Sequence, residues 1–151
     1  MKIRDLMTKD PEVCTLKDSC SVAGQIMLRR NCGFVPVVDG RKTKRVIGVI
    51  TDRDITLYLT RGDRPASQVP VEACMTRDPK TVSPETYLDE AAQIMESAAI
   101  HRLPVVEEGK LVGVLSLKDI ACFARREWAS AGEHAVERQM ADIVESIAVA
   151  R

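Results

Sequence analysis

Two stretches of the chain put a hydroxyl, a basic side chain and a carboxylate within four residues: Thr51-Asp52-Arg53-Asp54 and Ser116-Leu117-Lys118-Asp119. Each follows an apolar, β-rich run, Gly48-Val49-Ile50 or Gly113-Val114-Leu115, and opens a second helical segment at Asp52 or Leu117. A helix N-terminus offers unpaired N–H groups and the positive end of the helix dipole, so it suits phosphate. A carboxylate on the first turn can accept hydrogen bonds from two vicinal sugar hydroxyls, and a basic side chain can pair with phosphate. The same spacing, a hydroxyl residue three before an acid, is also a plain capping box that needs no ligand. Spacing alone leaves both readings open.

Other chemistry is absent from the sequence pattern. There is no nucleophile elbow, P-loop, zincin motif or glycine-rich dinucleotide fingerprint, and the histidines are only His101 and His134. Asp52 and Asp54 are the nearest approach to a carboxylate pair, and helix residues two apart point in different directions. The expectation is a protein that is not an enzyme, with no catalytic cofactor and no metal. Cys14, Cys20, Cys32, Cys74 and Cys122 are odd in number and match no zinc spacing. They are expected as buried or half-buried thiols of a reducing compartment.

Lys+Arg and Asp+Glu balance at 22 each, and aromatic residues make up 3%. Nucleic acid is therefore not the expected partner, despite Arg29-Arg30 and the charged run from Arg41 to Arg45. No run approaches the ~20 apolar residues of a membrane span, and no apolar stretch follows Met1-Lys2-Ile3-Arg4-Asp5 as in a signal peptide. The expected compartment is the cytoplasm.

The two hydroxyl–acid stretches belong to a larger duplication. Met7-Thr8-Lys9-Asp10-Pro11 recurs 68 residues later as Met75-Thr76-Arg77-Asp78-Pro79, and at the same shift Gln25-Ile26-Met27 matches Gln93-Ile94-Met95 and Pro36-Val37-Val38 matches Pro104-Val105-Val106. The first copy then carries three extra residues in its charged turn, after which Gly48-Val49 matches Gly113-Val114 and Asp54-Ile55 matches Asp119-Ile120. Each copy reads strand, helix, strand, strand, helix. Short extended pieces over 12–15 and 80–83 follow a proline. Helices are expected over 19–31, with Val22, Gln25-Ile26 and Arg29-Arg30 at helical spacing, and over 87–98, with Leu88, Ala91-Ala92 and Met95 as the apolar stripe. Asp18 is the expected cap of the first, and Thr86 with Asp89 the expected capping box of the second. Strands are expected over 34–38, 46–51, 102–106 and 111–116, turning at Asp39-Gly40 and around Gly109. These runs are too apolar for one small sheet to bury alone, so the copies are expected to pack together.

The full set, Met-Thr-x-x-Pro, a Gln-Ile-Met helix, Pro-Val-Val and Gly-Val-[Ile/Leu]-[Thr/Ser]-x-x-Asp-Ile, resembles the CBS domain, and two in tandem resemble a Bateman module. The resemblance covers about residues 1–124. The run Ile100-His101-Arg102-Leu103-Pro104-Val105 is also similar to the nucleotide-sensing γ subunit of AMP-activated kinase. The resemblance implies an α+β fold of two β-α-β-β-α repeats with pseudo-two-fold symmetry, spanning 1–60 and 71–124, joined by a linker over 61–70 and followed by a helical tail over 125–151.

It implies a regulatory module that senses an adenosyl ligand (AMP, ADP, ATP, NAD or S-adenosylmethionine) and acts on a partner in trans. The alternative is a purely structural dimerisation protein without ligand. By resemblance, Asp54 and Asp119 would bind ribose hydroxyls, while Thr51, Ser116, Arg53 and Lys118 approach phosphate. A basic pair, here His101-Arg102, would reach phosphates too. The first copy has Gly33-Phe34 there, so the two sites are expected to differ. Adenine would lie against Val13, Cys14, Thr15 and Val35, or Thr81, Val82, Ser83 and Leu103. Beyond the repeats, 133–150 reads as an amphipathic helix with Val136, Met140, Ile143 and Ile147 on one stripe. It is expected to serve a homodimer contact or a protein partner.

Overall fold

The computed structural model describes residues 1–130 together with Ala141, Asp142, Val144 and Glu145. Of the expected tail helix over 133–150 only those four residues are described, and its stripe of Val136, Met140, Ile143 and Ile147 lies outside the described residues. Among the described residues no helix is long and apolar enough to cross a membrane.

In chain order the elements are β1 (Thr8–Lys9), β2 (Cys14–Thr15), α1 (Cys20–Arg30), β3 (Phe34–Val38), β4 (Val46–Thr51) and α2 (Asp52–Leu59). They continue with β5 (Thr76–Arg77), α3 (Leu88–Ser97), β6 (Arg102–Glu107), β7 (Lys110–Ser116) and α4 (Leu117–Ser130). The repeat is thus realised as an α+β fold, with one exception: β2 has no strand counterpart in the second copy, where the expected extended piece over 80–83 makes only a single bridge at Val82. β3 is buried along its whole length, as its unbroken apolar run requires, whereas β4 and β7 alternate.

The chain forms two compact units. One holds Asp10–Pro79 with Glu108–Leu111 and carries the first copy; the other holds Met1–Lys9, Lys80–Glu107 and the chain from Val112 and carries the second. Each copy therefore gives its Met-Thr segment to the other copy's unit. In the first-copy unit the sheet order is β2-β3-β4-β5, with β2 parallel to β3 and the rest antiparallel. In the second-copy unit it is β1-β7-β6, and Val82 adds a parallel bridge to Val105.

The edge strands explain why Met-Thr and Gly-Val recur together. A Cβ on Gly48 would stand 2.8 Å from Met75 Sδ and 2.9 Å from the Thr76 carbonyl oxygen. A Cβ on Gly113 would stand 2.6 Å from Met7 Sδ and 3.0 Å from the Thr8 carbonyl oxygen. Each glycine lets the edge strand lie flat on its neighbour.

The segments ahead of these strands are also matched. Cys20 N–H donates to the Val69 carbonyl and Val71 N–H to that of Asp18, while Leu88 N–H donates to the Met1 carbonyl and Ile3 N–H to that of Thr86. Val69 and Val71 are fully buried in the first-copy core, and Ile3 in the second. Within the stretch read as linker, Ala66–Gln68 forms a 3-10 turn and Val69 is core.

The helix starts differ from expectation. α1 is capped by Ser19, whose Oγ accepts from Val22 N–H at 3.4 Å, and not by Asp18. Asp18 instead accepts from Thr15 N–H at 2.7 Å and closes the turn after β2. Thr86 does the same, accepting from Ser83 N–H at 3.1 Å, so no capping box forms with Asp89 and α3 starts without a side-chain cap. A turn that must reverse the chain takes the first available oxygen, and the helix begins one residue later. The buried face of α1 is Cys20, Ala23, Ile26 and Met27, with Gln25, Arg29 and Arg30 exposed. The stripe of α3 is Leu88, Ala91, Ala92 and Met95, as the spacing indicates.

Candidate functional site

Thr51 ends β4 and is the N-cap of α2. Its Oγ1 accepts from Asp54 N–H at 3.1 Å, and its own N–H donates to Asp54 Oδ2 at 2.9 Å, a complete capping box. Ser116 ends β7 in the same way. Its N–H donates to Asp119 Oδ2 at 2.8 Å, its hydroxyl lies 2.5 Å from that oxygen, and Asp119 N–H donates to Ser116 Oγ at 3.2 Å. Both aspartates are half-buried, and Arg53 and Lys118 are exposed beside them. The junctions are thus satisfied caps that leave the outer carboxylate oxygen, Oδ1, as the group still able to face a ligand.

The two outer oxygens differ. Thr8, from the edge strand of the second-copy unit, donates its hydroxyl to Asp119 Oδ1 at 3.3 Å. Among the described residues no group donates to Asp54 Oδ1. Sequence reasoning did not single out Thr8; the signal was the Met-Thr recurrence, read only as a repeat marker.

A second difference lies beside each helix start. In the first-copy unit Asp52 N–H donates to the Gly33 carbonyl at 3.4 Å, and the Asp52 carboxylate folds over Gly33, with Oδ2 2.7 Å from where a Cβ would be. Asp52 Oδ1 also accepts from Arg53 N–H at 2.8 Å. In the second-copy unit Leu117 N–H donates to the His101 carbonyl at 3.0 Å. A half-buried imidazole and the half-buried Arg102 therefore occupy positions that Gly33 and the buried Phe34 hold in the first-copy unit. One helix start carries an extra carboxylate, and the other carries a histidine and an arginine.

Cys14, Val35 and Leu103 are fully buried and Val82 is 6% exposed; their side chains are spent on the cores. Val13 and Thr15 are half-buried and Thr81 is exposed. The Thr15 backbone and hydroxyl are both engaged by Asp18. Burial pushes the Cys14 thiol up to about 11, with the Asp18 carboxylate adding to it.

The basic clusters that the sequence displays have acidic partners nearby. Arg29 and Arg30 both pair with Glu12, Arg41 with Asp18, Lys44 with Asp10 and Arg45 with Asp39. Among the described residues no group of three or more His, Cys, Asp or Glu side chains gathers where it could hold a metal ion.

A family model for the CBS domain matches residues 3–61 and again 71–125. The CBS domain-containing protein YhcV of Bacillus subtilis (strain 168) is 34% identical over 119 residues, which is 79% of this chain and 82% of that protein. Among solved structures, the CBS domain pair of protein MJ0100, in complex with 5-methylthioadenosine and S-adenosyl-L-methionine, aligns with a TM-score of 0.74 at 25% identity, covering 84% of this chain and 98% of that one. CBSX2 in complex with AMP shares the fold, with a TM-score of 0.68 at 24% identity over 83% of this chain and 96% of that one. Matched twice by the family model, once on each copy of its repeat, the chain belongs to the CBS domain family.

Proposed function

We propose that the chain is a non-catalytic regulatory module of the cytoplasm that binds adenosyl ligands and acts on a protein partner in trans. The observation that carries this reading is the pair of helix starts, each with a capped aspartate at its N-terminus. A structurally similar CBS pair holding two adenosyl compounds supports it. Asp54 and Asp119 would take the ribose hydroxyls. Lys118, His101 and Arg102 would favour a phosphate at the second-copy helix start. The Asp52 carboxylate opposes phosphate at the first, so that site would favour an uncharged or cationic adenosyl group. Homodimerisation belongs to the same proposal, with the 133–150 segment as its expected contact.

The completeness of both capping boxes favours a second reading, in which the aspartates only start helices. Thermal shift separates the two. A ligand at 100 times its Kd stabilises by about 2.7 kcal/mol, or roughly 5–10 °C for a chain of this size. AMP or ATP is expected to raise Tm in the wild type and to lose at least about tenfold in affinity in Asp119→Ala. S-adenosylmethionine is expected to depend on Asp54→Ala instead. Each shift is referred to the variant's own unliganded Tm, because removing a cap costs about 1 kcal/mol by itself. No shift with any adenosyl compound would leave only the capping role.

A further inference from the structure

We propose that Cys20 and Cys74 form a disulfide-forming modification site, oxidised by a hydroperoxide, within the first-copy unit. The two sulfurs lie 3.0 Å apart although 54 residues separate them. Both thiols also point to the same acceptor, the Pro70 carbonyl, at 3.8 Å from Cys20 and 3.9 Å from Cys74. Cys20 is 1% exposed at the first residue of α1, while Cys74 is half-buried at the end of the 3-10 turn Val71–Ala73.

The second-copy unit supplies the control. At the 68-residue shift, Cys20 corresponds to Leu88 and Cys74 to Leu6. Leu88 is buried in that unit's core and Leu6 packs against it. Leu6 N–H donates to the Ile3 carbonyl as Cys74 N–H donates to that of Val71, so the backbones match. Packing at this position is met by ordinary aliphatic side chains. The first-copy unit instead places two thiols there, in contact.

The chemistry runs in two steps. The half-exposed Cys74 thiol takes an oxygen from the hydroperoxide, giving a sulfenic acid and releasing an alcohol, or water when the oxidant is hydrogen peroxide. Cys20 sulfur then attacks Cys74 sulfur; its proton leaves with the sulfenic hydroxyl as water, and the S–S bond forms. Two thiols are oxidised and one peroxide is reduced. Bonding requires the sulfurs to close from 3.0 Å to about 2.05 Å. The product would tie the segment carrying β5 to the start of α1.

The test treats the purified full-length protein with hydrogen peroxide and maps its peptides without reduction. The expected result is a Cys20–Cys74 linked peptide, a fall from five titratable thiols to three, and a Tm rise on the order of 10 °C that dithiothreitol reverses. Cys74→Ser should retain its Tm under peroxide. A Cys14–Cys20 link, any other pairing, oxidation of Cys74 beyond sulfenic acid without a link, or no loss of thiols would each overturn the proposal. Because the wild-type protein carries the decisive measurement, the result stands even if a variant folds poorly. Nucleotide binding is not part of the readout, so failure here leaves the ligand proposal untouched.

Discussion

The two units are built by the same rules from sequences that have drifted apart, and their agreements and differences fall in different places. They agree where backbone approaches backbone. Gly48 lies against Met75-Thr76 and Gly113 against Met7-Thr8, and the turn closures by Asp18 and Thr86 use the same geometry with different side chains. They differ at the helix starts and at one packing position: Asp52 over Gly33 against His101 beside Leu117, an Asp54 Oδ1 to which no described residue donates against an Asp119 Oδ1 held by Thr8, and Cys20 with Cys74 against Leu88 and Leu6. Positions that hold the sheet together have not moved, while positions that face solvent or could carry chemistry have. Duplication supplies a fold twice, and divergence at a few side chains then makes two unlike sites from it.

The sharpest way to break this comparison is to attack the shared contact in each unit. Gly48→Ala and Gly113→Ala each force a methyl to within 3.0 Å of a backbone carbonyl oxygen, and backbone cannot swing aside as a side chain tip can. Each substitution is expected to destabilise by about 1–3 kcal/mol. Denaturant unfolding of the two variants should give losses of similar size. A large loss in one and none in the other would mean that the two edge strands are not equivalent.

Much of this was legible in the sequence because the repeat aligned residues that would otherwise have looked incidental. Strand bounds over 34–38 followed from an apolar run that stops at the Asp39-Gly40 turn, and the bounds over 46–51 and the helix starts at Asp52 and Leu117 from apolar runs that end in a hydroxyl residue. What the sequence could not show was exchange. Met-Thr recurs ahead of each copy, yet each pairs with the other copy's sheet, and periodicity carries no information about which sheet a two-residue strand will join. Thr8 was invisible as a partner of Asp119 for that reason, since 111 residues separate them. The Cys20–Cys74 contact was hidden likewise, although the shift that pairs Cys20 with Leu88 and Cys74 with Leu6 was already present. The capping readings at Asp18 and Thr86–Asp89 failed on a local competition: the same oxygens close the preceding turn, and a motif match does not say which N–H will win.

A smaller effect sharpens the comparison at the ends of the first helices. Both α1 and α3 finish with a residue in the left-handed region, Asn31 at φ 48° and Ala99 at φ 52°. The closing hydrogen bonds match: Cys32 N–H donates to the Met27 carbonyl and Ile100 N–H to that of Met95. Asparagine adopts this conformation at lower cost than alanine, whose Cβ crowds the backbone with no polar group to compensate. Ala99→Gly is therefore expected to stabilise by about 1 kcal/mol, and Asn31→Ala to destabilise by about the same amount. For a chain of this length that is a Tm change of roughly 2–4 °C in opposite directions. Shifts of the same sign would show that the two turns are held by different forces.

The smallest expected effect concerns a feature that only the first-copy unit possesses. Glu12 accepts from Arg29 Nε at 3.2 Å and from Arg30 Nε at 3.0 Å, and the equivalent residues of the other copy are Lys80, Ser97 and Ala98, which cannot form such a group. Hydrogen bonds from Arg29 and then Arg30 hold the Glu12 carboxyl below the ordinary glutamate value of 4.5. A carboxyl lowered on folding favours the folded state above its unfolded pKa, and that benefit disappears as pH falls through the lower folded value. Glu12→Gln should thus lower Tm slightly at pH 7 and not at all once both forms are protonated, well below pH 4.5. High salt should shrink the neutral-pH difference, because the cluster is exposed and screened. A Glu12→Gln effect that persists in strong acid would instead trace to the packing of the side chain, and the first-copy unit would then owe nothing to this charge cluster.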